Sequence, residues 1–158
     1  MVSQSSAPLA DALVQCAHRH RAAFYTPGHK GGHGISSVHR TVFGDDIFRV
    51  DVPELPELDD LFAPEGVILA AQQLAAEAFG AEQTWFLVNG STCGVEAALL
   101  APCGPGAKVL VPRNAHQSVL SGLILSGAMP VWIAPVYDPE WQLALGVTAS
   151  ADATALSH

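Results

Sequence analysis

Positive charge, and lysine above all, is scarce in this sequence. Its 158 residues include only seven lysines and arginines against fifteen aspartates and glutamates, so the formal net charge is −8. Lys30 and Lys108 are the only lysines, and a reaction that needs a side-chain amine therefore has two candidates. The chain has no basic cluster that could neutralise the phosphates of a nucleic acid, so we expect no nucleic-acid partner.

Several motifs of other protein classes are also missing. The three cysteines form no CxxC pair, which favours reduced thiols in a cytoplasmic protein over a disulfide framework. The lack of a G-x-S-x-G elbow and of a Walker A loop argues against a serine hydrolase and a P-loop enzyme. His29, His33 and His39 share a glycine-rich loop, but their spacing matches no zinc pattern, so we predict no metal site.

Segments that target or cross a membrane are not expected either. The N-terminus has no basic region ahead of its apolar residues, so we predict no signal peptide. Residues 114–137 carry no charge and are long enough to span a bilayer, but they contain Pro130, Pro135 and two glycines. This stretch fits a buried helix followed by a buried strand better, and we predict no membrane partner.

What the sequence does contain is a regular alternation of helix and strand patterns in an apolar chain. Hydrophobic residues make up 49% of the chain, enough for one domain with a real core. Helices are predicted at 8–20, 67–79, 91–101 and 115–127, and apolar strands at 84–88, 107–111 and 129–134. Apolar strands that alternate with helices are typical of a buried parallel sheet, so the predicted fold class is α/β with a parallel β-α-β-α-β core.

A glycine- and proline-rich segment separates the first helix from this core. We expect residues 26–65 to form a long loop that wraps a surface. Within it, residues 45–65 hold eight of the fifteen carboxylates. They could attract a cationic substrate, but a solvated connecting loop is the more common meaning of such a charge run. We therefore predict a helix-and-loop arm over residues 1–65 and a separate core over residues 66–158.

Ligands of open α/β sheets bind at the carboxyl ends of the strands, and the first such place is VNGSTCG, residues 88–94. There a predicted strand passes through a glycine turn into a helix. The hydroxyls of Ser91 and Thr92, together with the free amides of the first helical turn, would form a phosphate site. An ordinary Ser/Thr helix cap explains this stretch equally well.

The second place is VPRNAHQS, residues 111–118, at the end of the next predicted strand. His116 begins a helix there, and the helix dipole favours its neutral imidazole. The ring could stack flat against an aromatic ligand held by the Ser91–Thr92 turn. A role as a helix cap or as a packing residue is an equal alternative.

In combination these motifs resemble the ornithine/lysine/arginine decarboxylases, and arginine decarboxylases most of all. FYTPGHKGG, ELPELDDLFAPEG, AAEAFGAEQTWFLVNGSTCG, VLVPRNAHQS and GLILSGAMPVW follow one another as they do in that family. The resemblance runs from about Pro8 to Val147, which is nearly the whole chain. Each motif alone is weak, and their order makes the combination specific.

The resemblance implies a pyridoxal 5'-phosphate (PLP) enzyme of the aspartate aminotransferase fold, a carboxy-lyase for a basic amino acid in polyamine biosynthesis. Ser91 and Thr92 would then hold the cofactor phosphate, and His116 would stack on the pyridine ring. The complete enzyme would be a homo-oligomer, with the PGHKGG loop near the mouth of the active site. This chain would be the front part of the PLP-binding large domain, apparently incomplete.

Neither lysine fits the catalytic role that the resemblance implies. In the family the Schiff-base lysine follows the phosphate turn and the stacking histidine, whereas Lys30 precedes both. Lys108 lies at the amino end of its predicted strand, which is the wrong edge of the sheet for the cofactor. We therefore assign no catalytic residue and expect the chain alone to be inactive, as a gene fragment, a frameshifted product or a deliberately shortened chain.

A non-catalytic interpretation is the alternative. The truncated chain could bind phosphate weakly, or pair with an intact paralogue as a dimerisation element. Three strands without neighbours would leave sheet edges and apolar faces uncovered, so we expect a marginal, self-associating protein. A phosphate-binding α/β protein unrelated to decarboxylation would explain VNGSTCG but not the other motifs. The sequence leaves the basic amino acid open between arginine, lysine and ornithine.

Overall fold

A computed structural model describes residues 3–19 and 22–149 of the chain. By their packing these residues divide into two compact units, one up to Phe86 and one from Leu87 onward. The first unit is helical, and the second contains helices and a parallel strand pair, so the predicted α/β class is confirmed. The domain boundary that the sequence suggests after residue 65 stays a prediction.

The first unit is built from four helices. They are α1 (Pro8–Ala17), α2 (Ser37–Phe43), α3 (Asp46–Val50) and α4 (Val67–Phe79). α1 begins with a proline, whose fixed φ angle suits the first helical position, and it packs against α3 and α4. The buried apolar residues of this unit are Cys16, Leu58, Ile68, Leu74 and Ala76.

α2 and α3 interrupt the segment that we expected to be one long loop. The Ser36 hydroxyl caps α2 by accepting the backbone N–H of His39 at 3.3 Å. Both helices are short, with seven and five residues, and neither has a buried residue. The loop prediction was wrong over these residues: at α2 a local serine cap favours a helix, whereas α3 forms without a side-chain cap.

The carboxylate of Asp59 organises the approach to α4. It accepts five backbone N–H groups at 2.8–3.3 Å, those of Asp60, Glu65, Gly66, Ile68 and Leu69. The helix's own N-cap position is Gly66, which has no side chain to serve as an acceptor. Asp59 thus supplies, from seven residues upstream, the acceptor that the first turn of α4 needs.

These hydrogen bonds lower the pKa of Asp59. Desolvation raises the pKa of Asp59, but the backbone N–H groups of Glu65, Asp60, Gly66 and Leu69 outweigh it and lower the pKa from 3.8 to about 2. Hydrogen bonds to the charged form favour that form, so the group is ionised at neutral pH. The Asp59 carboxylate therefore binds backbone N–H groups of its own segment and of the first turn of α4.

The second unit contains two further helices and four strands. They are α5 (Gly90–Leu100), β1 (Lys108–Pro112), α6 (Gln117–Ser126), β2 (Met129–Ile133), β3 (Tyr137–Asp138) and β4 (Leu143–Ala144). β1 and β2 are parallel, in register from Lys108 opposite Met129 to Pro112 opposite Ile133. β3 and β4 form a small antiparallel pair. The core of this unit is formed by Val111, Leu123 and Ala128.

One of the three predicted strands is not formed. Residues 84–88 have no regular secondary structure, and the side chains of Trp85 and Val88 are 64% and 83% exposed. An extended segment becomes a strand only when a neighbour exchanges backbone hydrogen bonds with it. Within the described residues the parallel sheet consists of β1 and β2 alone, so this segment has no such neighbour.

α5 and α6 pack closely because Gly122 lies where they meet. A Cβ atom at this position would lie 2.6 Å from Leu99 Cδ1 and 3.2 Å from Leu99 Cβ, so a larger residue would require the Leu99 side chain to move. The polar face of α6 is also buried here, since Ser126 is 6% exposed and donates its hydroxyl to the Leu123 carbonyl at 3.2 Å.

Two further observations concern the cysteines and the length of the helices. Cys16, Cys93 and Cys103 form no disulfide. No helix within residues 3–19 and 22–149 combines the length and apolarity that a membrane crossing needs.

Candidate functional site

The first turn of α5 carries the two hydroxyls predicted to bind phosphate. Ser91 and Thr92 follow Gly90, whose φ angle of +67° lets the chain turn sharply from the extended segment into the helix. Both residues are exposed. Their neighbour Asn89 occupies the N-cap position, but its side chain makes no capping hydrogen bond. The first amides of α5 therefore keep their hydrogen-bonding capacity for another acceptor.

This turn has room for a phosphate group. A Cβ atom built on Gly90 would meet no atom within 4 Å, so the space beside the turn is open. Free amides, two hydroxyls and the positive end of the helix dipole all act on that space. The local donors thus fit an anion, and they match what the phosphate of PLP would require.

His116 forms the N-cap of α6. Its Nδ1 atom accepts the Ser118 backbone N–H at 3.2 Å and lies 2.9 Å from the Ser118 hydroxyl oxygen. Because Nδ1 uses its lone pair for this bond, the neutral ring carries its proton on Nε2. The ring is exposed while Ser118 beneath it is only 2% exposed. The side chain is therefore a helix cap, as one alternative predicted, and its orientation is fixed without covering the ring.

The Ser91–Thr92 turn and His116 lie at the N-termini of two helices that pack against each other. Ser91 and Thr92 lie on α5, and His116 begins α6, the helix that packs against α5 across Gly122. His116 also follows the carboxyl end of β1 by four residues, which is the sheet edge where α/β proteins bind ligands. Both predicted elements thus begin at helix N-termini of the same unit.

Lys108 lies at the other end of β1, as the sequence predicted. It is the first residue of this five-residue strand. At roughly 3.3 Å per residue its backbone is about 13 Å from the carboxyl end of β1. A side-chain amine that starts at the amino edge of the sheet is poorly placed for a ligand at the opposite edge.

Lys30 belongs to the first unit and is held by its own loop. It has a φ angle of +52°, is half-buried, and its Nζ atom donates a hydrogen bond to the Tyr25 carbonyl. Its neighbour His29 pairs with Asp51, with 3.1 Å between Nε2 and Oδ2, and meets Phe48 edge-on. The sequence did not indicate the His29–Asp51 pair, because the two residues are 22 positions apart.

The three histidines of the glycine-rich segment have different surroundings. His29 contacts Asp51, whereas His39 lies 2.9 Å from the Ser36 hydroxyl and stacks on Phe43. Across the part of the chain that the structure describes, no three histidine, cysteine or acidic side chains converge as metal ligands would.

Comparisons with known proteins place these features in a family. The model of the Orn/Lys/Arg decarboxylase major domain matches residues 7–156. The chain is 40% identical over 157 residues to the arginine decarboxylase of Bacillus subtilis, covering 99% of this chain and 32% of that protein. It is 35% identical over 144 residues to the inducible ornithine decarboxylase of Escherichia coli, covering 87% of this chain and 20% of that protein.

Solved structures give the same result. Lysine decarboxylase A from Pseudomonas aeruginosa superposes on 95% of this chain with a TM-score of 0.79 and 30% sequence identity. The superposition uses 21% of that enzyme. The chain thus spans about a third or less of the length of the curated relatives that it matches.

Proposed function

Because the chain belongs to the Orn/Lys/Arg decarboxylase family as its N-terminal portion, we propose that it provides the cofactor-phosphate turn of a PLP-dependent basic amino-acid decarboxylase. The observation that carries this proposal is the N-terminus of α5. It combines two exposed hydroxyls with uncapped backbone amides and open space beside Gly90.

Ser91 and Thr92 bind the phosphate in this proposal. Their hydroxyls donate to phosphate oxygens, and the first-turn amides of α5 donate alongside them. Hydrogen bonds to a charged acceptor contribute about 1.5–3 kcal/mol each, so two hydroxyls and a helix terminus can hold the group firmly. This anchoring orients the rest of the cofactor with respect to the sheet edge.

His116 positions the cofactor ring. The bond from the Ser118 amide to Nδ1 fixes the imidazole plane, so its exposed face can lie against a pyridine ring. When bound, PLP supplies the electron-withdrawing ring that takes up the electron pair left as carbon dioxide departs. The side chains described here contribute orientation and electrostatics, and none of them is a catalytic amine.

The two lysines of this chain lead us to propose that it is inactive by itself. Lys108 starts at the wrong edge of the sheet, and Lys30 precedes the phosphate turn, whereas the Schiff-base lysine of the family follows it. The activity, the basic amino-acid substrate and the homo-oligomeric state of a complete enzyme are proposals from the family, since the chain covers only 32% of the arginine decarboxylase and 20% of the ornithine decarboxylase that it matches. The three cysteines form no disulfide, which is consistent with a reducing compartment.

Binding of PLP to the purified chain tests the role of the α5 turn. We expect reversible binding, followed by the cofactor's absorbance, that weakens about tenfold or more in a Ser91→Ala/Thr92→Ala double variant. A Ser37→Ala/Thr41→Ala double variant changes the same residue types on α2 and should bind PLP as tightly as the unaltered chain. Equal affinity in all three proteins, or no binding by the unaltered chain at millimolar PLP, would overturn the proposal.

Borohydride reduction of the same mixture tests the absence of a catalytic amine. Reduction converts a cofactor bound to a lysine into a stable label that mass spectrometry can map. We expect no stoichiometric label on either lysine. Stoichiometric label on Lys30 would make the PGHKGG loop the catalytic centre and would contradict our assignment.

A second candidate function, association with another chain, is favoured by the exposed apolar side chains of the second unit. The large hydrophobic residues Ile124, Leu125, Met129 and Trp132 are 48–79% exposed around α6 and β2. Light scattering after size-exclusion chromatography, alone and with an intact arginine decarboxylase of this family, tests it. A chain that stays monomeric in both samples would exclude the dimerisation role.

A further inference from the structure

A cavity lies in the first unit, the unit that does not contain Ser91, Thr92 or His116. It has a volume of about 740 Å³ and is bounded by three segments: the end of α1, the TPGHKGG loop, and the chain that leaves α3. Cavities of roughly 300–1,000 Å³ accommodate small organic molecules. The resemblance and the proposed function assign no ligand to it.

The charge of this cavity is opposite to that of the chain. Its lining includes Arg19, Lys30 and Arg49, three of the seven basic residues of the protein. Among the described residues, Asp51 carries the one carboxylate in this lining, and its Oδ2 atom lies 3.1 Å from Nε2 of His29. In a chain of net charge −8, such a concentration of cations marks a site for a negative ligand.

The cationic groups can turn to a ligand at low cost. Arg19 pairs with Glu57 at 3.3 Å, and Arg49 pairs with Asp46 at 3.2 Å, and both arginine side chains are at least half exposed. Exposed ion pairs of this kind contribute only about 0–1 kcal/mol, so an anion in the cavity competes with them easily. The Lys30 ammonium donates to a neutral carbonyl and keeps two further donors.

We propose that this cavity binds a small anion with a carboxylate or phosphate group, held by the Lys30 ammonium and by Arg19 and Arg49. The backbone of Lys30 is fixed in a left-handed conformation and its side chain is half-buried, so the charge is presented from a defined place. The two arginines supply the fork-shaped donors that suit carboxylate and phosphate oxygens. His18, Tyr25 and His33 add further polar groups to the lining.

Competitive acetylation of the two lysines tests this site in the unaltered chain. The protein is treated with a limiting amount of acetic anhydride in chloride, phosphate or succinate at equal ionic strength, and mass spectrometry gives the rate at each lysine. We expect acetylation of Lys30 to slow at least about threefold in saturating phosphate or succinate, because a paired ammonium rarely presents its reactive neutral form. Lys108, in the second unit, is the internal control.

The choice of anion separates the two ligand sources. Protection by phosphate alone assigns a phosphate ligand, protection by succinate alone assigns a carboxylate, and protection by both assigns a general anion site. Equal rates at Lys30 in all three salts, or equal slowing at Lys30 and Lys108, would overturn the proposal. In the Ser91→Ala/Thr92→Ala variant the protection of Lys30 should persist, which distinguishes this cavity from the phosphate turn of α5.

Discussion

The N-termini of α4 and α5 differ in whether a side chain accepts their first backbone amides. Each helix begins with backbone amides that no intrahelical carbonyl accepts. At α4 the Asp59 carboxylate takes up the amides of Gly66, Ile68 and Leu69 at 2.8–3.3 Å. At α5 the N-cap side chain makes no such bond, and the first turn offers two hydroxyls instead.

The difference separates a structural helix terminus from one that is ready for a ligand. A terminus that is already neutralised by a carboxylate has no remaining attraction for an anion, and its acceptor contributes to folding stability. A terminus without a cap forgoes that stability and can recover it when an anion binds. We therefore expect changes at α4 to affect the free energy of unfolding, and changes at α5 to affect ligand affinity.

The largest effect should follow from Asp59→Asn. Asparagine tolerates the φ angle of +74° at this position, but it replaces one carboxylate oxygen with an NH₂ group that faces backbone donors. We expect a loss of about 2 kcal/mol in the free energy of unfolding. Urea denaturation followed by circular dichroism measures it, and Glu82→Ala, which alters an exposed carboxylate, should change stability by less than about 0.5 kcal/mol. Equal losses in both variants would contradict the capping role.

The same carboxylate should make stability depend on pH in the acid range. The folded-state pKa of Asp59 is about 2, below its ordinary value of 3.8. Its contribution is therefore fully present above about pH 5 and is lost as the pH falls through 3.8 towards 2. Unfolding experiments at successive pH values should show a steeper acid loss for the unaltered chain than for Asp59→Asn. Parallel curves would show that Asp59 does not contribute through its charge.

An intermediate effect is expected at α6, where a cap and a proposed ligand contact are the same side chain. His116→Ala should reduce the free energy of unfolding by about 1 kcal/mol, because the Ser118 amide loses its acceptor. His116→Asn retains an acceptor for the helix and should leave stability within about 0.5 kcal/mol. Both variants should bind PLP more weakly. Full PLP affinity in His116→Asn would assign this histidine to capping alone.

The smallest change in stability, and the sharpest test of the comparison, should come from making α5 resemble α4. Asn89→Asp places a carboxylate at the uncapped terminus and should raise the free energy of unfolding by about 0.5 kcal/mol. The same charge should repel a phosphate and weaken PLP binding. Gln83→Glu adds an equal charge outside the turn and should leave the affinity unchanged. Tighter PLP binding in Asn89→Asp would contradict the idea of a ligand-ready terminus.

How much of this molecule could be read from its sequence depends on the range of the interactions. The bounds of α4 were predicted as observed, because apolar periodicity and a terminal glycine are local signals. The placement of Ser91, Thr92 and Lys108 followed from the alternation of helices and strands in the same way. These features need only neighbouring residues to be recognised.

The features that were missed depend on partners that the local pattern does not name. The sequence around Gly66 does not indicate that Asp59 caps α4. A glycine N-cap has no side-chain acceptor, so it shows only that the first backbone amides of the helix need an acceptor from elsewhere. The apolar run at 84–88 has strand composition, yet strand formation also requires a neighbour. For His116 the cap and ligand alternatives could not be separated by sequence, and the structure shows that capping leaves the ring exposed.

Gly122 has a consequence for the geometry of the whole second unit. Gly122 lies in the contact between α5 and α6. The N-terminal ends of these two helices carry Ser91, Thr92 and His116. A methyl group there would meet Leu99 Cδ1 at 2.6 Å, so the Leu99 side chain or the spacing of the two helices would have to change. A change in the packing of the two helices at Gly122 would also move their N-terminal ends. Gly122 therefore contributes to the helix spacing on which the separation between His116 and the Ser91–Thr92 turn depends.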